Sequence, residues 1–402
     1  MSLPTKKFLL FNKTWQNVCL VTVAAVVLMS VLFCTVYVSL NFFGFLRALT
    51  ILLAVLVVLL SVLIYFRLLH KKKKTLLVIL SILLVICMSI LNTVTFMHFS
   101  GKVAMLKNNS TPIVPHDIDA VIDASGIVSY GDDKYIYNEN LTTILFMGID
   151  KNDIDKTSVN GKNGQADAVY AVTIDTKTGK VTVICISRDT VTDIKIYSKE
   201  GNYIRTEPKQ LCLSYAYGDG KELSCENCVW SASNALYGIP INTYMAIDYS
   251  AIAVLNDAVG GVEVPKYNSN WSKKTGGTTV LYGEKAYEYV QFRDIKKTES
   301  NAYRITRQLD YLKAFSAKAI QMTKKDITTP LNLYDKINKY SVNNLSPDKI
   351  AFLTNVFLNG NKEIEFKNIE GTIDTVGEHA VFYPDAEKLY ELVLEVFYTK
   401  IS

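Results

Sequence analysis

Asp167–Thr190 reads DAVYAVTIDTKTGKVTVICISRDT, and the interpretation of this stretch decides the fold. Two β-rich runs, Ala168–Ile174 and Lys180–Ser187, flank Asp175-Thr-Lys-Thr-Gly179, a polar loop closing on glycine, and so predict a hairpin. Val181–Ile186 is nearly continuous in apolar residues, as expected of a strand buried on both faces. Outward from this pair, Tyr135–Asn138 and Thr143–Met147 read as further short strands. Helical patterns follow at Ser224–Tyr237, Tyr249–Ala258, Glu284–Phe292 and Asn301–Thr323, the last with Asn301 able to cap it. Ser346–Leu358 and Asp385–Phe397 begin at Ser-Pro-Asp and Tyr-Pro-Asp entries, where proline suits a first helical turn. Strands interleaved with helices predict an α/β fold whose central mixed sheet carries helices on both faces.

The chain has 402 residues and a formal charge of +5, but the charge is unevenly placed. Residues 1–100 hold nine Lys/Arg and no Asp or Glu, so the other 302 residues carry −4. A slightly acidic domain excludes a basic nucleic-acid binder. Three uncharged apolar runs, Val18–Leu40, Ala48–Phe66 and Leu76–Met97, each approach the roughly 20 residues needed to cross a bilayer. The first is too long for a signal-peptide core, has no Ala-x-Ala exit, and is followed by two more runs. Three lysines precede the first run, only Arg47 lies in the first loop, and Arg67 with Lys71–Lys74 fill the second. The positive-inside rule then places the N-terminus in the cytoplasm and everything after Met97 outside a bacterial cell membrane. The expected domains are a three-helix anchor over 1–100, an extracytoplasmic tether over 101–134, and a folded domain over 135–402.

Several chemistries lack their residues. No Gly-x-Gly-x-x-Gly or Gly-x4-Gly-Lys-Ser/Thr cradle is present, no Gly-x-Ser-x-Gly elbow, and no His or Cys/His cluster for zinc. An enzyme built here must use carboxylates, arginines or a hard metal. Cys19, Cys34 and Cys87 fall in the apolar runs, where thiols pack as small hydrophobes. Cys185 sits in the buried strand. Cys225-Glu-Asn-Cys228 lacks a thioredoxin-like βαβ setting, so a structural bridge from Cys212 to Cys225, or to Cys228, is the expectation.

Three local features carry the chemistry. Asp150 ends one strand and Asp167 starts the next, so both carboxylates can meet one hard cation such as Mg²⁺. Arg188 follows directly on the buried strand, at an edge where open α/β sheets bind ligands. Arg293 ends a helical pattern, and Arg304 and Arg307 lie three apart near the start of the longest helix, where an anion meets guanidiniums and free amides. Taken singly, these are a turn acid, a surface pair and solvated helix arginines. Together they make a site for a phosphate.

Six motifs in order give a resemblance. Asp167-Ala-Val, Ser187-Arg-Asp-Thr190, Ser214-Tyr-Ala-Tyr-Gly-Asp-Gly220, Tyr237-Gly-Ile-Pro-Ile-Asn-Thr-Tyr244, Asp257-Ala-Val-Gly-Gly-Val-Glu-Val264 and Arg293 with Arg304-x-x-Arg307-Gln308 resemble the LytR-CpsA-Psr family of cell-wall glycopolymer ligases. The match runs over residues 140–320, and the three apolar runs are similar to its CpsA-like branch. The resemblance implies a helix-covered mixed sheet with an apolar slot for a polyprenyl-pyrophosphate glycan. It also implies transfer of a teichoic acid or capsular polymer to a peptidoglycan hydroxyl through a phosphodiester. On that basis Asp150 and Asp167 hold Mg²⁺, with Mn²⁺ as the alternative. Arg188, Arg293, Arg304, Arg307 and Gln308 bind the pyrophosphate, and Asp150, Asp167, Arg188 and Arg304 form the catalytic set. The partners implied are the lipid-linked glycan, peptidoglycan and the lipid bilayer, with no nucleic acid.

The sequence departs from the family pattern at Gln165, Gln291, Asn301, Gln210 and Cys212. With Asn at 301, Asp167 is the remaining candidate for general base. Two other readings use the same cations: a lipid-pyrophosphate pyrophosphatase, and a carrier-binding membrane protein without turnover.

Overall fold

The computed structural model describes residues 55–56, 71–106, 114–115, 118–151, 164–293, 300–360, 364–377 and 379–401. The chain divides into two units, residues 1–100 and 101–402. Apart from residues 55–56, the first two apolar runs lie outside the described residues. The third falls in helix α1 (Lys71–Leu106). Among the described residues no helix is long and apolar enough to cross a membrane.

In the larger unit, strands β1 (Ala120–Ile122), β2 (Ile127–Tyr130) and β3 (Asp133–Tyr137) precede β4 (Leu141–Ile149), β5 (Ala166–Asp175) and β6 (Val181–Ile186). A hairpin, β7 (Val191–Tyr197) and β8 (Tyr203–Gln210), leads to helices α2 (Leu213–Ala216) and α3 (Glu222–Ala235). Then come β9 (Thr243–Ile247), α4 (Tyr249–Ala258), β10 (Val262–Tyr267), β11 (Lys274–Leu281), α5 (Glu284–Gln291), α6 (Ser300–Lys325) and α7 (Thr329–Asn338). The chain ends with β12 (Ser341–Asn343), α8 (Pro347–Asn359), β13 (Ile364–Asn368), β14 (Gly371–Val376), β15 (His379–Pro384), α9 (Ala386–Phe397) and β16 (Tyr398–Lys400).

The central sheet has six strands in the order β12-β9-β4-β5-β6-β13 and is mixed, with β9 and β13 parallel to their neighbours β4 and β6. Its alternation is legible in β4. Leu145, Met147 and Ile149 pack into a core with Cys225, Cys228 and Ala232 of α3 and Leu389, Val393 and Phe397 of α9. Ile144 faces the other way, against Phe352 and Val356 of α8 and Met105 of α1. Both faces are therefore covered, which explains the near-continuous apolar reading of the strands. α9 begins where the Asp385 carboxylate accepts from the Lys388 amide at 3.2 Å, satisfying one orphan donor of the first turn. A second core joins β10 and β11 to α5 and α6 around Val262, Val264, Tyr289 and Val290.

Two expectations need correction. Residues 120–130, assigned to the tether, form β1 and β2 and pair through β3 with the C-terminal β16. Val128 is fully buried, packed with Ile118, Tyr390 and Leu394. Gly126 and Gly131 are turn positions with positive φ. Asn301 falls inside the first turn of α6 rather than capping it, because the helix starts at Ser300.

Candidate functional site

The site lies where β4 ends, β5 begins and β6 ends. Gly148 pairs with Ala168 but Ile149 pairs with Ala166, so Asp167 is the extra residue of a β-bulge. Ala166 and Val169 both enter the main core although they are three apart. A regular strand would send Asp167 to that core; the bulge turns it out to the sheet end.

Asp150 is fixed from the facing strand. Its amide donates to the Gln165 carbonyl at 3.0 Å, and its carboxylate accepts from the Gln165 amide. Gly164 makes this turn possible: its φ is +86°, and a Cβ there would lie 2.9 Å from Ile149 Cγ2. Burial pushes the Asp150 carboxyl above the ordinary carboxylate range, and the Asp167 charge adds to the rise against the Gln165 amide and Arg188, which lower it.

Arg188 follows β6 and spreads its guanidinium over several acceptors. Nη1 pairs with Asp167 Oδ1, Nη2 donates to Gln165 Oε1 and to Cys212 Sγ at 3.2 Å, and Nε lies 3.4 Å from Asp189 Oδ1. Burial alone would loosen its proton, but Cys212, Asp167 and Asp189 around it raise the pKa instead. Arg304, only 5% exposed, reaches across from α6 to Asp167 Oδ2 at 3.1 Å. One turn further along, Gln308 accepts from Tyr170 of β5 at 3.3 Å and donates to the Val290 carbonyl. Arg304 and Gln308, four apart, thus lock one face of α6 to β5. The result is one carboxylate held between a buried guanidinium, Arg304, and a half-buried one, Arg188, from separate elements.

Not every expected residue joins this cluster. Arg307 is 1% exposed and donates to the carbonyls of Tyr289 at 2.9 Å and Trp271 at 2.7 Å, and also to Phe292. Its guanidinium lies 5.5 Å from the Trp271 ring centroid. A spacing of three put Arg304 and Arg307 on one face, but α6 shares the two between β5 and the end of α5. Arg293 is exposed just past α5 and takes no part in the cluster's hydrogen bonds among the described residues.

The cysteine bridge is also corrected. Cys212, Cys225 and Cys228 are all free and buried. Cys212 accepts from Arg188, Cys228 meets the Ser214 hydroxyl at 2.9 Å, and Cys225 approaches the Val342 carbonyl at 3.9 Å. Sequence reasoning therefore missed Cys212 and Gln165 as members of the site; their only signal was the departure from the family pattern at those two positions. Burial pushes Cys212 and Cys228 up to about 12 and Cys225 well above its usual value. All three should therefore alkylate in the folded protein at under about a hundredth of the unfolded rate near neutral pH. A timed iodoacetamide pulse read by mass spectrometry checks this, and a peptide pair linked through Cys212 would contradict it.

The donor set suits a hard cation. Among the described residues no three His, Cys, Asp or Glu gather around one point. Asp150, Asp167 and the Gln165 amide oxygen are donors of the class that Mg²⁺ takes, although Arg188 and Arg304 hold both Asp167 oxygens and Arg188 holds the Gln165 amide oxygen.

A sequence model of the LytR_cpsA_psr family matches residues 116–395. An uncharacterised Staphylococcus aureus protein is 23% identical over 64% of this chain and 62% of its own length. The Enterococcus faecalis polyisoprenyl-teichoic acid–peptidoglycan teichoic acid transferase TagU is 28% identical over 39% of this chain and 46% of its own. The chain thus spans about three fifths of the first relative's length and under half of the second's. A Streptococcus agalactiae crystal structure superimposes with a TM-score of 0.51 at 19% identity, covering 64% of this chain and 86% of that one, and so shares the fold. With the family model spanning most of the chain, including the whole Asp150–Asp167–Arg188–Arg304 cluster, this protein belongs to the LytR_cpsA_psr family.

Proposed function

We propose that this protein transfers a polyprenyl-pyrophosphate-linked glycopolymer, of teichoic acid or capsular type, to a peptidoglycan sugar hydroxyl through a phosphodiester. The observation that carries the reading is the convergence of Arg188 and Arg304 on Asp167 at the end of the sheet. In such a transfer the acceptor oxygen bonds to the glycan-side phosphorus, the bond from that phosphorus to the bridging oxygen breaks, and lipid phosphate leaves. The protein's work is to position and neutralise the phosphates. Two guanidiniums suit that work, and Asp167 holds them in place until an anion arrives. As they pass to phosphate oxygens, Asp167 is released to accept the proton of the acceptor hydroxyl.

Charge balance supports a metal as well. Asp150, Asp167 and Asp189 outnumber Arg188 and Arg304, so a pyrophosphate would enter an already acidic site. Asp150 and Asp167 would hold Mg²⁺, which supplies positive charge to the phosphates when bound. The Lys/Arg asymmetry of the first hundred residues supports an anchor in a bacterial cell membrane with residues 101–402 outside.

Asp150 gives a test that does not require turnover. Its folded pKa lies above the unfolded one, so its contribution to stability is present at acid pH and lost as pH rises through the folded value. Asp150→Asn should therefore raise the thermal midpoint near neutral pH by a few degrees without metal, and the gain should vanish below the ordinary carboxylate range. Added Mg²⁺ should stabilise wild type but not this variant. Incubation with a polyprenyl-pyrophosphate glycan, peptidoglycan and Mg²⁺ tests the function itself. Phosphodiester-linked glycan on the acceptor is expected, whereas free glycan phosphate as the sole product would make the protein a pyrophosphatase.

A further inference from the structure

A second cleft lies on another part of the larger unit, between α3 and the β9–β12 side of the central sheet. It has a volume of about 370 Å³, within the range of about 300–1,000 Å³ typical of small-molecule sites. Trp230, Val229 and Tyr244 form its apolar surface, and Glu226, Asn242 and Asn344 supply polar groups. Tyr244 pairs with Leu145, five residues before Asp150 on the same strand. The cleft is therefore roughly 17 Å from the arginine cluster along β4, at about 3.4 Å per residue.

Its walls are preorganised. Asn344 Oδ1 accepts from the Tyr244 amide at 2.9 Å, and its Nδ2 donates to the Asn242 carbonyl at 3.1 Å. Lys349 donates to the Asn344 carbonyl at 2.8 Å. The Lys195 ammonium sits 4.5 Å from the Trp230 ring centroid and steadies the indole. Burial, with Cys225, Glu226, Glu222 and Asp219 adding to the effect, pushes the Tyr244 phenol up, so its hydroxyl stays protonated.

Two aromatic residues beside a fixed amide and a carboxylate have the chemistry that recognises sugars: apolar faces against rings, polar groups against hydroxyls. Glu226 is the charged residue among those lining the cleft, and its carboxylate disfavours polyanions. We propose that this cleft binds neutral or amine-bearing sugar units of a glycan strand, and so holds the acceptor rather than the anionic donor. The proposal rests on the glycopolymer-transfer reading, whose acceptor is a glycan. One strand lying along this side of the sheet would be held at Trp230 while a hydroxyl several units away reaches the arginine cluster. The phosphate-rich donor would meet Glu226 and no Lys or Arg among the lining residues, the Lys195 ammonium being engaged on the Trp230 ring.

The test is calorimetric titration of the full chain in detergent with an N-acetylglucosamine tetramer, its fully deacetylated counterpart, and a glycerol-phosphate oligomer. Both sugars should bind, the deacetylated one more tightly by about fivefold, and the glycerol-phosphate oligomer should not compete for the site. Trp230→Ala should weaken both sugars by at least about tenfold. Glu226 is exposed, so Glu226→Gln removes the amine preference at no cost in folding and keeps the test valid if Trp230→Ala is unstable. Asp167→Asn should leave sugar binding unchanged. Absence of sugar binding, binding untouched by both cleft variants, or competition by the glycerol-phosphate oligomer would each overturn the proposal. Intact sugar binding with no transfer would instead count against the transfer reading alone.

Discussion

Arg304→Ala is expected to cut glycopolymer transfer by about 10²–10³-fold, the loss typical when one preorganised donor to a transition-state charge is removed. Arg304 is nearly buried and holds one oxygen of Asp167 while Arg188 holds the other. After truncation Asp167 keeps Arg188, so the carboxylate is not stranded and the fold should survive. The loss should therefore appear in turnover per folded molecule, with the unfolding midpoint only modestly lowered. Arg304→Lys sharpens the test. It keeps the charge but loses the planar fork, and should recover stability while leaving transfer at least about tenfold down. Equal transfer by wild type and Arg304→Ala would remove this residue from the chemistry.

Arg307→Ala should act quite differently. Its guanidinium satisfies the carbonyls of Tyr289, Trp271 and Phe292 at the edge of the second core. Removing it strands these acceptors, at about 1–3 kcal/mol for each that water cannot reach, and leaves a void among Trp271, Tyr267 and Tyr289. An overall destabilisation of about 3–5 kcal/mol is expected, read as a lower urea midpoint, with the residual folded fraction binding pyrophosphate nearly as wild type does. The family resemblance made Arg307 a pyrophosphate ligand. If Arg307→Ala instead unfolds like wild type and only loses pyrophosphate affinity, that assignment returns.

These two arginines show how far a sequence can be read. The Asp167–Thr190 pair of strands is legible because its alternation and its glycine-closed loop are local signals, and α4 spans the residues that its pattern predicts. Asp167 and Arg188 were legible because they sit where that local pattern stops. Arg307 was not, since helix spacing gives the face of a residue but not its partners, and its partners lie 15 to 36 positions away. Cys212 was read as half of a bridge because cysteines close in sequence suggest a pair. Its real partner, a guanidinium, comes from the far end of β6. β1 and β2 were hidden for a related reason. They are short, glycine-flanked, and belong to a small sheet that β3 completes by pairing with the distant β16.

The extra residue at Asp167 separates two codes that share one strand. Along β5 the two-residue rhythm of buried and outward positions slips by one beat at the bulge and then resumes. The interior therefore sets no requirement on what stands at the slipped position, and the chemistry there sets none on the interior. Such a strand can change its working end, by substitution or by loop exchange, while the hydrophobic rhythm of the sheet stays in phase. It also means that deleting Ala166, beside the bulge, would bring Asp167 opposite Ile149 and swing the site acid toward the core. Loss of function by removing one residue, with every catalytic side chain still present, is the signature this architecture should leave.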